Sequence, residues 1–378
     1  MKPIYFLLIF LVIAGGCAKD KVLPAANKLV KHDSTTPEQK ELIFNSLQSF
    51  PNNTEVSFAI IKNGVPKFYG VKREEDTFFN SINHQSAFEI GSISKVFTST
   101  LLANYVLEGK LQLDDNINEF LDITLKDNTP ITFKSLANHT SGLPRMPSNF
   151  MTVALFNQSN PYKNYDEALL EEYLTESLKL SETAGKKSSY SNLGAGLLGY
   201  TLSKITGKDY QTMLQEKIFS KYNMINSSTI RSALKVPLIH GLDADGDETS
   251  NWDLSALVGA GGILSNTEDL SKFAMAQFDS TNLELALTRQ KTFVDSAGYD
   301  LGLGWHVSKS KSGGEAYWHN GGTGGYRSCM ALDMPRRNAI IVLSNISAFH
   351  EESGKIDKLC FELVKTLKEG GNNEEAVE

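Results

Sequence analysis

In the stretch FEIGSISK, Phe88 to Lys95, Ser92 and Lys95 stand three residues apart directly after a glycine. If a helix begins near Ser92, residues three apart share a face, and the hydroxyl and the amine meet on the first turn. Ser94 is adjacent to Lys95 and points elsewhere, which makes Ser92 the better nucleophile candidate. A serine hydroxyl is weak at neutral pH and needs a base. A lysine can serve if burial and neighbours lower its pKa from about 10.4. A helix start also offers free backbone N–H groups suited to an oxyanion. Taken alone, the spacing fits equally a serine helix cap followed by a solvated lysine.

Two later stretches carry chemistry of the same kind. In YSNLGAGLLGY, Tyr190 and Asn192 directly precede a predicted helix. A tyrosine can relay a proton to or from a serine oxygen or a leaving group. An asparagine offers a donor and an acceptor to an amide substrate. The plainer alternative is Asn192 as a helix cap with Tyr190 packed beneath it. In YWHNGGTGGYRS, His319 is followed by Asn320, Gly321 and Gly322. Glycines in a strand let another backbone approach closely, and His319 is a donor that could grip a substrate carboxylate or carbonyl.

The surrounding elements follow from pattern. Thr36-Pro37 with Gln39 predicts a capped helix start. Asn63-Gly64 between two strand-like runs predicts a hairpin. SKVFTSTLLANYVLEG has apolar residues at helical spacing and stops at Gly109. From there to about Ile230 the chain is largely helical, and a further helix is capped by Ser265 or Asn266. Strands return around Pro335–Asn338, followed by a helix whose stripe is Ile356, Leu359, Cys360, Leu363, Val364 and Leu367. The expected fold is α/β of the α+β kind. An antiparallel sheet is built from the N- and C-terminal segments and flanked by helices, with a mainly helical insertion at roughly 110–300.

The order S-x-x-K, Y-x-N, H-x-G resembles the penicillin-recognising serine hydrolases, and more narrowly the class C β-lactamase family with its DD-peptidase, D-aminopeptidase and esterase relatives. FEIGSISK is similar to the class C active-site signature, and ANHTSGLP (Ala137–Pro144) and GAGGILS also resemble family segments. The resemblance runs from about Glu55 to the last helix and implies a β-lactamase/transpeptidase-like fold. It implies that Ser92 is the acylated nucleophile, that Lys95 and Tyr190 share acid and base work, and that Asn192 holds the substrate amide. It makes the N–H groups of Ser92 and Gly322 an oxyanion hole and puts His319 and Gly321 in the third motif. Typical class C β-lactamases have Lys-Thr-Gly there, and lysine is a fixed cation where histidine is often neutral. The departure counts against efficient antibiotic hydrolysis but not against acylation. The implied activity is opening of β-lactams or cleavage of D-Ala-D-Ala-like amides. A DD-carboxypeptidase or endopeptidase, a carboxylesterase, and a non-catalytic penicillin-binding sensor are the alternatives.

The N-terminus reads as a targeting segment. Lys2, an apolar run from Ile4 to Ala14 and then Gly15-Gly16-Cys17 resemble a bacterial lipoprotein signal, in which Cys17 is lipidated. The expected organisation is a signal at 1–17, a tether at 18–35, one catalytic domain at 36–368 and a loose acidic tail at 369–378. The expected location is a bacterial membrane, lipid-anchored toward the periplasm, or the periplasm itself, with the protein monomeric. Cys329 and Cys360 are the other two cysteines, expected to be buried thiols. A net charge of −7 gives no basic face for nucleic acid. No G-x-S-x-G elbow, H-E-x-x-H pair or Walker loop is present, and the seven histidines lack metal-ligand spacing. No cofactor or metal is expected.

Overall fold

The computed structural model describes residues 25–30, 33–294, 299–309 and 314–367. The signal segment with Cys17 and the acidic tail lie outside the described residues. Nine strands form one sheet: β1 (Ala26–Asn27), β2 (Glu55–Lys62), β3 (Val65–Glu74), β4 (Thr77–Asn80), β5 (Asp300–Leu301), β6 (His306–Lys309), β7 (Glu315–Gly322), β8 (Arg327–Asp333) and β9 (Asn338–Ser344). Their order across the sheet is β1-β4-β3-β2-β9-β8-β7-β6-β5. All neighbours are antiparallel except β1 and β4, so strands from the two ends of the chain meet where β2 pairs with β9.

The strand sequences explain why both faces are covered. Every residue of β9 is buried. Ile340 and Val342 join one apolar cluster, and Ala339, Ile341 and Leu343 join another on the opposite face. In β2, Val56, Phe58 and Ile60 face the first cluster and Ala59 and Ile61 the second. This is the two-residue period of a pleated strand with apolar residues in both phases. On the first face lie α1 (Pro37–Leu47) and, at the far end of the chain, a helix spanning Gly354–Thr366. The start of α1 is the expected capping box: the Gln39 N–H donates to Thr36 Oγ1 at 3.2 Å, and the Thr36 N–H donates to Gln39 Oε1 at 2.9 Å. Asn63 and Gly64 both have positive φ, as the hairpin between β2 and β3 requires.

The second face carries the helical region, including α2 (Ser94–Leu107) and α3 (Asn192–Thr206), whose first turns reach the site, and α4 (Thr267–Gln277), which packs on β2 and β9. The helix at Gly354–Thr366 is then α5. The cap of α4 is Asn266, whose Oδ1 accepts from the Asp269 N–H at 2.8 Å. α2 is buried almost all round, from Ser94 to Ala103. A helix apolar on every side belongs in a core, so any polar residue in its first turn is carried inside too.

One boundary differs from expectation. The segment read as a tether up to residue 35 contributes the edge strand β1 and buries Ala25 and Leu29. Two buried apolar side chains four residues apart carry no sequence period, yet with β1 they suffice to cover the exposed edge of β4. Cys329 on β8 and Cys360 on α5 are both fully buried free thiols.

The buried stripe of α5 gives a stability test. Leu363 is fully buried and Lys358 exposed on the same helix. Leu363→Ala is expected to lose about 2–5 kcal/mol of unfolding free energy. Lys358→Ala is expected to stay within about 0.5 kcal/mol. Equal shifts in urea denaturation would show that this face does not dock α5 on the sheet.

Candidate active site

Ser92 lies in a single 3₁₀ turn, Gly91–Ile93, that runs directly into α2. Gly91 has φ +51°, a conformation that favours glycine. The strand segment before it is pinned, because Phe88–Glu89 pairs with Leu264–Ser265 and the Ile90 N–H donates to the Ile263 carbonyl at 3.1 Å. Ser94 is fully buried, and its Oγ accepts from the Ile263 N–H at 3.1 Å. Ser94 therefore fixes the turn, and Ser92 is the serine that lines the cleft.

Lys95 stands in the first turn of the buried helix and is 2% exposed. Its Nζ is 2.9 Å from Ser92 Oγ, 2.9 Å from Asn192 Oδ1 and 2.7 Å from the Ala260 carbonyl oxygen. None of the three is a carboxylate. Burial, with the Arg145 guanidinium adding to it, holds the Lys95 pKa well below its ordinary value. A neutral amine has two N–H donors and one lone pair. The two carbonyl oxygens can only accept, which leaves the lone pair for the Ser92 hydroxyl. The three neighbours thus match the free base, and the first-turn geometry expected from S-x-x-K is that of a nucleophile and its general base.

Tyr190 and Asn192 come to the same point from the start of α3. The cap of α3 is Ser191, whose Oγ accepts from the Gly194 N–H at 2.8 Å and donates to the Pro144 carbonyl at 2.7 Å. Asn192 is thereby free of capping, and its amide also donates to the Tyr162 hydroxyl at 3.3 Å. The Tyr190 hydroxyl donates to Ser92 Oγ at 2.6 Å. Burial pushes its pKa up to about 12, so it is a phenol with a proton to give. The ring is held by His139, with centroids 4.6 Å apart, and His139 Nδ1 in turn accepts from the Ser191 N–H at 3.3 Å. Lys95 Nζ and the Arg145 guanidinium lie 4.7 and 5.0 Å from the Tyr190 ring centre.

The third stretch is β7, whose end runs against the Ser92 turn. A Cβ on Gly321 would stand 2.0 Å from the Ile90 carbonyl oxygen and 2.9 Å from the Ser92 nitrogen. A Cβ on Gly91 would stand 2.6 Å from the Gly322 nitrogen. Glycine at 91 and 321 is what lets the two backbones come together. The Ser92 N–H is a first-turn donor without an intrahelical acceptor. It and the Gly322 N–H are the pair implied for an oxyanion hole.

His319 does not fit the expected role of gripping a carboxylate. It is 1% exposed and does not line the cleft. Its Nδ1 is 2.6 Å from the Asn320 carbonyl, which can only accept, so Nδ1 bears the proton and Nε2 is left as an acceptor. Burial, with His306 and Lys95 nearby, holds its pKa well below the ordinary histidine value. A neutral imidazole with its one N–H committed cannot donate to a carboxylate. The sequence showed the residue type, but the burial that fixes its charge comes from the rings of Tyr190 and His306 around it.

The cleft over these groups has a volume of about 760 Å³. Tyr162, Trp252 and Phe349 form an aromatic wall on one side, with Tyr162 and Trp252 centroids 5.2 Å apart. Arg145 and Arg327 also line it, and no Asp or Glu does among the described residues. The Arg327 guanidinium is paired with Asp357 of α5, which also accepts from the Asn320 amide at 2.9 Å. Motif reading missed Arg145, Tyr162 and Trp252. Arg145 directly follows ANHTSGLP, which was the available signal; Tyr162 and Trp252 sit in loops with no pattern of their own.

Comparison with known proteins shows the family and the fold. The beta-lactamase family model matches residues 49–362. The D-alanyl-D-alanine-carboxypeptidase/endopeptidase AmpH of Escherichia coli K12 is 26% identical over 305 residues, covering 74% of this chain and 76% of AmpH. A beta-lactamase from Pseudomonas fluorescens is 24% identical over 261 residues, covering 67% of this chain and 69% of that protein. A beta-lactamase/D-alanine carboxypeptidase structure from Pseudomonas syringae superposes with a TM-score of 0.70 at 20% identity, over 87% of this chain and 99% of that one. A class C beta-lactamase from Rhodobacter sphaeroides gives 0.71 at 19% identity, over 88% and 99%. The structural likenesses are of fold, and the family match covers most of the chain. With Ser92 between a buried amine and a phenol, the chain belongs to the beta-lactamase family of serine hydrolases.

Proposed function

We propose that this chain is an exported acyl-serine hydrolase that cleaves D-Ala-D-Ala-like amides, as a DD-carboxypeptidase or endopeptidase, and is acylated by β-lactams through the same Ser92. The observation that carries the reading is Ser92 Oγ at 2.9 Å from Lys95 Nζ and 2.6 Å from the Tyr190 hydroxyl. Ser92 Oγ attacks the carbonyl carbon and its proton passes to the Lys95 lone pair. The Ser92 and Gly322 N–H groups take the oxyanion. When the C–N bond breaks, Tyr190 gives its proton to the leaving nitrogen, and the Lys95 ammonium stands by the resulting phenolate. Water then releases the acyl group. The similarity to AmpH and the neutral His319 favour the peptidase over a dedicated β-lactamase.

The nucleophile assignment predicts that Ser92→Ala abolishes covalent labelling by a fluorescent penicillin and that Ser94→Ala retains most of it. An adduct mapped by mass spectrometry to any other residue sinks the assignment. Persistence of the label separates the readings: a long-lived adduct supports the peptidase, and rapid loss with a hydrolysed product supports a β-lactamase.

The pH profile follows from Lys95. Its pKa is lowered, so the free base forms as pH rises through that lowered value and persists above it. Acylation of an uncharged ester should rise through that lowered value, level off below the ordinary lysine range and fall only toward about 12, where Tyr190 loses its proton. A rate still climbing between about pH 8 and about pH 10, where an ordinary lysine titrates, would mean that Lys95 is a cation at rest.

Export rests on the sequence alone, in residues 1–17. The proposed anchor is a lipid on Cys17, placing the cleft beside peptidoglycan with the enzyme as a monomer. Cys17→Ala should free the protein from the membrane fraction and stop palmitate incorporation. A wild-type protein that never incorporates palmitate removes the anchor from the proposal.

A further inference from the structure

An amide whose leaving group is an amino acid carries its carboxylate two bonds from the leaving nitrogen. Tyr190 protonates that nitrogen in the mechanism above. A cation that reads the carboxylate must therefore stand close to Tyr190. His319 cannot do so, being neutral, buried and without a free donor. Lys95 is fully engaged by Ser92, Asn192 and Ala260. Arg327 lines the cleft, but its guanidinium is matched by Asp357.

Arg145 is the remaining cation of the cleft among the described residues. It is exposed, and no hydrogen bond or ion pair holds its guanidinium among the described residues. It lies 5.0 Å from the Tyr190 ring centre. A guanidinium over an aromatic ring can keep its in-plane N–H fork for a carboxylate, to which it donates two parallel bonds. The root of the side chain is fixed. The Arg145 carbonyl accepts from the N–H groups of Asn192 and Leu193 at 3.0 and 3.2 Å, which ties it to the start of α3. The charge is thus held beside the catalytic phenol with its donors unspent. The chain as a whole is at −7, yet among the described residues no carboxylate lines the cleft to compete for that fork.

We propose that Arg145 binds the free carboxylate of the leaving group, and so makes the enzyme select C-terminal amino acids over blocked or internal ones. The proposal rests on the acyl-Ser92 reading. It assigns recognition of the anion to the loop after Pro144 rather than to β7.

The test is a matched pair of substrates, diacetyl-Lys-D-Ala-D-Ala and its C-terminal carboxamide, with kcat/KM read from release of D-Ala and of D-alaninamide. Wild type, Arg145→Gln, Arg145→Lys and Arg327→Gln are compared, and cooperative thermal unfolding together with hydrolysis of an uncharged ester shows that each variant is folded with Ser92 active. The acid-to-amide ratio is expected to fall about tenfold or more in Arg145→Gln, the scale of one charge-assisted hydrogen bond. Arg145→Lys should recover part of it. Added salt should lower the ratio in wild type and leave Arg145→Gln nearly flat. An unchanged ratio in a folded, ester-cleaving Arg145→Gln overturns the assignment and leaves the acyl-Ser92 reading standing. A ratio that collapses in Arg327→Gln but not in Arg145→Gln overturns it too. Failure of wild type to label with penicillin and to cleave either peptide overturns both.

Discussion

Lys95 enters the core on the first turn of α2 with a hydroxyl and two carbonyl oxygens around its nitrogen and no carboxylate. Burying a lone ammonium is costly enough that the group gives up its proton instead. Everything around it serves that outcome. α2 is enclosed by apolar side chains, which removes solvent. Asn192 and Ala260 accept the two N–H bonds that remain. Ser191 caps α3 in place of Asn192, so that Asn192 can reach the amine. A carboxylate in place of either carbonyl would restore the ammonium and remove the base.

The second constraint is steric. The sheet must bring β7 against the Ser92 turn closely enough for two backbone N–H groups to face one oxygen. Gly91 and Gly321 make the approach possible, since a single carbon on either would displace backbone, which cannot swing aside as a side chain can. The meeting of β2 with β9 delivers β7 to this place, because the C-terminal strands extend the N-terminal hairpin into one sheet. α5 then reinforces the contact from the other face, where Asp357 holds both Asn320 and Arg327.

What the sequence revealed was whatever depends on local spacing. Ser92 and Lys95 had to share a turn, Thr36 and Gln39 had to form a capping box, and Asn63-Gly64 had to close a hairpin, since each follows from backbone geometry within four residues. The stripe of α5 was readable for the same reason. Properties set by the enclosure were not. Nothing near His319 in sequence shows that Tyr190 and His306 wall it in, and its charge state depends on them. Arg145 has a recognisable segment beside it but no motif role, and its meaning comes only from the Tyr190 ring it lies against. Ala25 and Leu29 were hidden in a segment without period, because covering a strand edge needs only a few apolar contacts.

Placing a neutral histidine on β7 separates two jobs that a single buried cation there would combine. A fixed charge at residue 319 would have to be desolvated beside Lys95, His306 and His139, all of which already lose protons to burial. The cost would fall on whichever group released its proton most readily, and the like charge would act on the catalytic amine directly. Neutral His319 leaves the Lys95 base controlled by burial and by the distant guanidinium of Arg145. If Arg145 reads an anionic substrate as proposed, that positive field comes from the rim, where water shares the cost of holding a charge. On the proposed reading the two jobs are separated in place but not in field: burial chiefly sets when Ser92 is activated, the loop after Pro144 reads the anion, and the Arg145 charge acts on the Lys95 base as well.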